Sequence, residues 1–291
     1  MNTIWSDYIQ KVGTLYSSRQ LRFSDLFKNQ YLNAFQIHNQ SRMLEIGCGP
    51  GALCQALHRW YPQAEIIGID RDSNFIDFAR REAPDVTFSE EDATALSFAN
   101  NSFDVTISNT VVEHIEPSKF FSEQYRVLSS GGVCLVLSAR RGVSIPAPCI
   151  SELSSLEKEI FARTQPYFNE IDKKYSVAAY AQSEADLPNN METFGFKQVS
   201  TTYVTVNLTP DNPNFSCEMA HAMINANRQC DLDAVDALPM IAPNVVKTEE
   251  LLELKRIKNA KYNKRIELYD AGIKQWDTNV SVTMIVRGVK E

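Results

Sequence analysis

A glycine-rich turn placed directly after a short apolar segment is the strongest constraint that this sequence puts on its fold. The segment RMLEIGCGPGALCQAL, residues 42–57, has glycines at positions 47, 49 and 51. Glycine loses more conformational entropy on folding than any other residue, so this clustering indicates a tight turn or a close approach by another group. The apolar residues before the turn predict a strand, and those after it predict a helix. In that arrangement, backbone N–H groups at the start of the helix point toward a bound ligand.

Strand and helix patterns alternate through the first half of the chain. The predicted strands cover residues 43–46, 64–70, 86–92, 103–109 and 131–138. Helical patterns separate them, such as SNFIDFARREA, for which Ser73 is the predicted N-cap. Strands that alternate with helices of this length pair in parallel through right-handed crossovers. The sequence therefore predicts an α/β fold with a doubly wound sheet. Two further strands are predicted at 196–208 and 279–289.

Composition favours a globular chain and argues against polyanionic partners. The chain has 291 residues and a formal net charge of -7, which lowers the expectation that it coats nucleic acid or an anionic membrane. No apolar run approaches the roughly 20 residues that cross a bilayer, and the N-terminal residues lack the pattern of a secretory signal. The six cysteines form no C-x-x-C pair, so neither a disulfide framework nor a zinc site is predicted. We expect a cytoplasmic protein with reduced thiols.

The residues around the glycine turn distinguish two kinds of nucleotide site. The dinucleotide fingerprint G-x-G-x-x-G places its last glycine at position 52, where this chain has Ala52, a residue that the fingerprint also accepts. An NAD-dependent oxidoreductase therefore stays open on this motif alone. The longer stretch E-x-G-C-G-P-G, which begins at Glu45, resembles motif I of the class I methyltransferases that use S-adenosylmethionine.

The resemblance continues in register over about residues 40–140, through EEDATALSF, FDVTISNTVVEHI and RVLSSGGVCLVLS, and includes METFGF and the last two strands. It implies a Rossmann-like methyltransferase fold, with a seven-stranded, mostly parallel sheet, an antiparallel C-terminal strand and a helical cap. It also implies that Asp70 binds both ribose hydroxyls, that Asp92 meets the adenine amino group, and that Ala93 offers its backbone. A carboxylate suits a ribose diol because it provides two acceptors in one plane.

The resemblance assigns further residues to the cofactor site. Small-molecule methyltransferases of this class often fold an N-terminal helix over the cofactor, so Tyr16 and Arg22 in YSSRQLRF are assigned there, Arg22 as the partner of the methionine carboxylate. A solvated arginine on a helix is the alternative. Glu45 is expected to support the turn through hydrogen bonds to the backbone. The remaining assignments by motif position are Gly47, Cys48, Gly49, Gly51, Arg71 and Asn109.

His114 is the histidine that the motifs place near the reaction centre. It is the candidate catalytic base, and it is also assigned to the cofactor-binding residues. The alternative is a histidine that is packed or lies in a cofactor loop without acting as a base. The segment TVVEH resembles the E-x-x-E-H metal-binding stretch of some O-methyltransferases, but Thr110 stands where the first carboxylate would be, so no metal is predicted. His221 is a second candidate for the acceptor pocket, with a helix-surface histidine as the alternative.

The domain organisation follows from these segments. We predict an N-terminal helical lid (1–38), a cofactor-binding core (39–140), a helical insertion (141–182), a continuation of the core (183–208), a helical cap over the acceptor site (209–275) and the last core strand (276–291). Phe23, Phe27, Tyr31 and Phe35 recur every four residues, so they are expected to lie on one packed face of a helix. Residues 154–157, SSLE, predict a capping box that opens a helix, and Pro166 is expected to end it.

The sequence thus predicts an S-adenosylmethionine-dependent methyltransferase that acts on an O, N or C atom of a small molecule, with S-adenosylhomocysteine as product. A methyltransferase acting on RNA or protein and a subunit that binds the cofactor without turnover are the alternatives. Nucleic acid and membrane partners are not expected. Neither the acceptor nor the oligomeric state follows from the sequence, because pocket shape rather than fold sets specificity.

Overall fold

The strands form the centre of the molecule. The computed structural model describes residues 4–39 and 41–291. The strands are β1 (Arg42–Ile46), β2 (Glu65–Asp70), β3 (Thr87–Glu90), β4 (Phe103–Asn109), β5 (Leu128–Ile145), β6 (Lys197–Leu208) and β7 (Thr278–Val289). They form one seven-stranded sheet in the order β3-β2-β1-β4-β5-β7-β6.

Helices cover this sheet and extend beyond it. They are α1 (Val12–Arg22), α2 (Lys28–Phe35), α3 (Ala52–Trp60), α4 (Ser73–Glu82), α5 (Pro117–Val127), α6 (Pro148–Ser151), α7 (Ser155–Lys174), α8 (Asp186–Thr193), α9 (Cys217–Ile241) and α10 (Thr248–Asp270). A π-helical turn, Trp5–Ile9, precedes α1. Within residues 4–39 and 41–291, no helix combines the length and the apolar character needed to cross a bilayer.

The pairing of the strands confirms the predicted fold. The first five strands pair in parallel, and β7 runs antiparallel to both β5 and β6. Both faces of a parallel sheet are covered by helices, so its strands are buried on both sides. In β1, Met43 belongs to one apolar cluster, whereas Leu44 and Ile46 belong to the cluster on the opposite face.

The N-terminal aromatic residues are buried as predicted, but the prediction that they share one helix is wrong. Phe23 follows the end of α1, Phe27 lies in a short 3-10 turn, and only Tyr31 and Phe35 lie on α2. Phe23, Phe27, Tyr31 and Phe35 are all buried in the larger apolar cluster. The Tyr31 ring stacks on the Trp60 ring of α3, with 5.5 Å between centroids. This contact fixes α2 against α3.

Three local predictions need correction. The predicted strand 131–138 is the buried middle of the longer β5, whose C-terminal part continues in the ladder with β7. Asp72 rather than Ser73 caps α4, because its carboxylate accepts the backbone N–H of Asn74. Helix α7 begins at the predicted capping box of Ser154 and Glu157 but continues through Pro166 to Lys174. Ala162, whose carbonyl loses its helical partner there, lies on the exposed side, where water can solvate it.

The insertion between β6 and β7 is a helical hairpin. Helices α9 and α10 pack against each other, and α9 also packs against α1 and the π-helical turn. At its base, Arg265 is completely buried and donates to two carboxylates, Asp277 at 2.9 Å from Nε and Asp211 at 3.0 Å from Nη2. This buried network ties α10 to the chain segments that lead into and out of the sheet.

Candidate functional site

A cavity of about 600 Å³ opens at the carboxyl ends of the parallel strands. In the sheet, β2 and β3 lie on one side of β1, and β4 and β5 lie on the other side. The strand order therefore reverses between β1 and β4, and ligands of doubly wound folds bind at this switch point. Residues that follow β1, β2, β3 and β4 all line the cavity. From the predicted set they are Glu45, Gly47, Cys48, Gly49, Asp70, Arg71, Asp92, Ala93, Asn109 and His114.

The three glycines have different roles in the turn. All three adopt positive φ, at 66°, 53° and 84° for Gly47, Gly49 and Gly51. A Cβ at Gly47 would lie 2.4 Å from the side chain of Val111, and one at Gly51 would lie 3.0 Å from Ala79. Gly51 is not among the residues that line the cavity. The side chains of Ala79 and Phe88, both 3.0 Å from that position, therefore explain Gly51, and the sequence-based assignment of this glycine to the cofactor is not supported by its position.

Asp70 ends β2 at the floor of the cavity. Its Oδ2 accepts the backbone N–H of Gly49 at 2.9 Å, and its Oδ1 accepts that of Asp72 at 2.9 Å. Burial raises the pKa of this carboxyl to about 6, so it is ionised at neutral pH. Each carboxylate oxygen accepts more than one hydrogen bond, which leaves both oxygens able to accept a hydroxyl. These bonds also fix the orientation of the carboxylate relative to the glycine turn.

Asp92 and Ala93 lie at the cavity wall after β3. Asp92 Oδ1 accepts from the backbone N–H of Thr94 at 2.8 Å and from its hydroxyl at 2.7 Å. These hydrogen bonds lower the pKa of Asp92. The carboxylate is thus ionised and held in a local turn next to the backbone of Ala93, as a group that receives a ligand amino group requires.

Arg19 is a cavity residue from the segment YSSRQLRF, in which the family resemblance assigned Arg22 instead. On α1, Leu15 and Arg19 are four residues apart and so share a helix face, and both line the cavity. Arg19 Nη2 donates to the hydroxyl of Thr110 at 2.9 Å. Burial and the neighbouring Arg22 lower the pKa of Arg19 to about 10, which still leaves it charged at neutral pH. Thr110 itself has φ of +55°, an unfavourable conformation for a β-branched residue.

The structure does not bring Tyr16 and Arg22 to the cavity. Tyr16 follows Leu15 on α1 and so lies on a different face of the helix. Its hydroxyl donates to Gln55 at 2.9 Å. Arg22 donates to the carbonyl of Ser18 at 2.9 Å and to Asn279 at 3.2 Å. Arg19, three positions before Arg22, therefore supplies the positive charge that was expected at the cavity from Arg22.

Glu45 is 2% exposed, and burial raises its pKa to about 8. It is therefore mostly protonated at neutral pH. The backbone and thiol of Cys54, in the first turn of α3, partly offset this rise in the pKa, so Glu45 lies against the turn that it is expected to support. Burial also raises the pKa of Cys48 to about 11, so this cavity thiol stays protonated.

His114 is positioned as a hydrogen-bond donor rather than as a base. Its Nδ1 accepts the backbone N–H of Ala178 at 2.9 Å, and burial lowers its pKa. In the neutral ring the proton then sits on Nε2, which has no lone pair left to accept a proton. The ring also contacts Trp5, with 4.5 Å between centroids. These contacts favour the alternative of a packed histidine over the catalytic base.

The N-terminal turn closes one side of the cavity. The backbone N–H and hydroxyl of Ser6 donate to the two oxygens of Asp72 at 2.8 and 2.9 Å, which anchors the turn beside β2. Trp5 and Ile9 from this turn line the cavity, with Val177 and Tyr180 from the segment after α7. Because these residues come from distant parts of the sequence, the spacing of the motifs could not predict that they line the same cavity.

The helical hairpin lies outside the cavity. Of the residues that the structure describes between 209 and 275, none lines it. His221 pairs with Asp270 at 2.8 Å instead of facing the acceptor space. The predicted cap therefore packs behind the N-terminal helices rather than directly over the site.

Comparisons with known proteins agree with this geometry. A family model described as a methyltransferase domain matches residues 44–136. A fatty-acid O-methyltransferase from Mycolicibacterium smegmatis is 36% identical over 109 residues, which cover 36% of this chain and 39% of the relative. A ubiquinone biosynthesis O-methyltransferase from Brucella anthropi is 32% identical over 118 residues, 39% of this chain and 47% of the relative. The matched segment thus spans less than half of either relative.

A solved structure shows the same fold over nearly the whole chain. Phosphoethanolamine N-methyltransferase 2 from Haemonchus contortus, in complex with S-adenosyl-L-methionine, superposes with a TM-score of 0.52 at 18% identity, covering 99% of this chain and 59% of that one. The order of strands, the glycine turn after β1 and the matching family model agree with one another. Residues 44–136 of this chain are therefore similar to a methyltransferase domain, and the chain as a whole has the fold of a solved methyltransferase.

Proposed function

We propose that this protein binds S-adenosylmethionine in the cavity at the carboxyl ends of the strands and transfers its methyl group to a small molecule. The observation that carries the proposal is the convergence of the glycine turn, Asp70, Asp92 and Arg19 on one cavity of about 600 Å³. Each of these residues offers a group that matches one part of the cofactor. The match of residues 44–136 to a methyltransferase domain supports the same assignment.

Each polar group of the cavity would bind a different part of the cofactor. Asp70, with acceptor capacity on both oxygens, would hold the ribose hydroxyls, and Asp92 would accept the adenine amino group. Arg19 would pair with the methionine carboxylate, since a guanidinium has five N–H donors and the bond to Thr110 uses one. Gly47 and Gly49 leave the turn without side chains where the methionine part would lie. The residues present therefore fit this cofactor.

Catalysis rests mainly on alignment. When bound, S-adenosylmethionine supplies a methyl group on a sulfonium, and S-adenosylhomocysteine leaves as a lone pair of the acceptor bonds to that methyl. The protein holds donor and acceptor in line, which is worth roughly 7–11 kcal/mol in favourable cases. Because His114 Nε2 carries a proton, we infer that the acceptor needs no base from this histidine. A carboxylate, already an anion at neutral pH, meets that condition.

The side of the cavity closed by the N-terminal turn is the proposed acceptor side. Trp5, Ile9, Val177 and Tyr180 contribute apolar surface there. An acceptor with an apolar body and an anionic or lone-pair-bearing end fits this wall, and a fatty acid is one such molecule. We further propose a cytoplasmic location, because the described cysteines are free thiols, which persist in a reducing compartment.

The cofactor assignment is tested by calorimetry with S-adenosylmethionine and S-adenosylhomocysteine. Asp70→Ala removes two charge-assisted hydrogen bonds, each ordinarily worth about 1.5–3 kcal/mol, so its Kd should rise at least about tenfold. Asp77→Ala is the matched control, since Asp77 is an exposed aspartate on α4 that pairs with Arg80. Equal affinity of the two variants would contradict the assignment of Asp70.

Turnover is tested separately with methyl-labelled cofactor. The panel contains fatty acids and other small carboxylic acids, with small alcohols and amines, RNA and a protein extract as further arms. We expect label in a small acid. Label only in RNA or protein would overturn the proposed acceptor class, and tight cofactor binding without transfer to any arm would favour a non-catalytic subunit.

A further inference from the structure

Three metal-ligating side chains meet at the base of the helical hairpin, away from the cavity. The Sγ of Cys217, the imidazole of His221 and the carboxylate of Asp270 each offer one ligand atom, and these atoms all lie within 4.8 Å of one another. Cys217 Sγ is 3.8 Å from His221 Nε2, which is 2.8 Å from Asp270 Oδ1. This cluster plays no part in the proposed methyl transfer.

The fold explains why these residues converge. Cys217 is the first residue of α9, which Ser216 caps, and His221 lies four residues later on the same helix face. Asp270 is the last residue of α10. Because α9 and α10 pack side by side, the start of one helix lies beside the end of the other. The Tyr269 ring contacts His221 edge-on, with 5.4 Å between centroids, and limits where that imidazole can turn.

The donor set selects the kind of metal. One sulfur, one imidazole nitrogen and one carboxylate oxygen suit a borderline divalent ion such as Zn²⁺, whereas Ca²⁺ and Mg²⁺ prefer oxygen ligands. Zn–S and Zn–N bonds of about 2.3 and 2.0 Å in a tetrahedron separate the ligand atoms by roughly 3.3–3.6 Å. The observed separations of 3.8 and 2.8 Å fall on either side of that range. A small rotation of the half-exposed Asp270 side chain opens the shorter separation.

We propose that Cys217, His221 and Asp270 bind one Zn²⁺ ion, with water as the fourth ligand. The ion would join the first turn of α9 to the last turn of α10, where the hairpin leaves and re-enters the sheet. It would act as a structural clamp on the hairpin, alongside the buried bonds of Arg265. Binding releases the thiol proton of Cys217, so affinity falls as pH falls.

The test uses the full-length chain stripped of metal with a chelator and then titrated with Zn²⁺ by calorimetry. We expect one ion per chain and a rise in Tm. The variants Cys217→Ala and His221→Ala should raise the Kd at least about tenfold, since even outer-shell changes at metal sites cost about 10–100-fold. Both positions are on the hairpin surface, so circular dichroism should show both variants folded. Cys230→Ala is the matched control, as it removes another exposed cysteine from the same helix.

Cobalt gives a second measurement that reports the ligands directly. Co²⁺ bound at this site should show a sulfur-to-metal charge-transfer band and the visible spectrum of a tetrahedral ion, and Cys217→Ala should abolish the charge-transfer band while Cys230→Ala retains it. No stoichiometric binding, a loss in Cys230→Ala equal to that in Cys217→Ala, or full binding by Cys217→Ala would each overturn the proposal. None of these outcomes depends on methyltransferase activity.

Discussion

Gly47 offers a direct test of what the glycine turn requires. In Gly47→Ala, the new methyl would stand 2.4 Å from Val111 Cγ2, far inside contact distance, and the residue would keep φ of +66°. A non-glycine residue in that conformation costs about 1–2 kcal/mol. Val111 is stiff at χ1 because it is β-branched, so the overlap should cost a further ~1–3 kcal/mol. We expect the free energy of unfolding, measured by urea denaturation, to fall by about 2–5 kcal/mol.

A double-mutant cycle separates these two costs. Val111→Ala removes both Cγ atoms and leaves its Cβ 3.4 Å from the new methyl, an ordinary contact. The loss in free energy of unfolding of the double variant should therefore be smaller than the sum of the two single losses by the overlap cost, roughly 1–3 kcal/mol. Gly131→Ala is the control for backbone strain alone, because Gly131 has φ of +79° and a methyl added there would meet no atom within 4 Å. If the two changes at the turn are additive within about 0.5 kcal/mol, Val111 is not the reason for this glycine.

Three further predictions concern charged groups. Arg19→Met should raise the Kd for S-adenosylmethionine by about 10–100-fold in calorimetry, through loss of a pair worth about 1.5–3 kcal/mol, whereas Arg22→Met should leave it near the wild-type value. Burial raises the pKa of Glu45 to about 8, above its ordinary value of 4.5, so its stabilising contribution is complete at acid pH and is lost as pH rises through 8. Urea unfolding should therefore show the wild type losing about 2–3 kcal/mol between pH 6 and 8, and Glu45→Gln should remove that dependence. Arg265→Leu leaves two buried carboxylates without their cation and should cost about 3–5 kcal/mol, seen as a lower urea midpoint.

The sheet could be predicted because short stretches of neighbouring residues indicate each of its core strands. Each strand of the core is a short apolar run, and each is followed by a helix pattern or a turn, so alternation alone predicts parallel pairing. The resemblance assigned Asp70 and Asp92 to the cofactor site, and both line the cavity because parallel strands bring the residues at their carboxyl ends to one edge of the sheet. Helix ends were less certain. Pro166 predicts the end of a helix, but α7 continues through it with the carbonyl of Ala162 on the exposed side, and which side of a helix faces water is not a local property of the sequence.

Residues whose role depends on packing could not be assigned from spacing. Arg19 and Arg22 are three positions apart and chemically identical, and only the position of α1 beside the glycine turn decides which one enters the cavity. The tautomer of His114 depends on a backbone N–H from Ala178, 64 positions away. Gly51 follows the family motif, yet the contacts that require it come from Ala79 and Phe88. In each case a neighbour distant in sequence selects the role.

We expect the helical hairpin to affect the site through α1, the N-terminal helix that it contacts. Asp233 of α9 accepts the hydroxyl of Thr14 on α1, and Leu15 and Arg19 on that helix line the cavity. Loss of this bond should therefore reduce cofactor affinity, although no described hairpin residue lines the cavity. Asp233→Ala should raise the Kd for S-adenosylmethionine by about twofold to tenfold, the effect of a net hydrogen bond of roughly 0.5–1.5 kcal/mol if all of it reaches the site.

The matched control for this prediction is Asp236→Ala, which removes the same charge from the same helix. Asp236 pairs with Lys255 of α10 and not with α1. Its Kd should stay at the wild-type value, while both variants should lose similar, small amounts of stability. If Asp233→Ala also binds the cofactor normally, α1 is held in place by its own packing on the sheet. The hairpin would then be independent of the cofactor site.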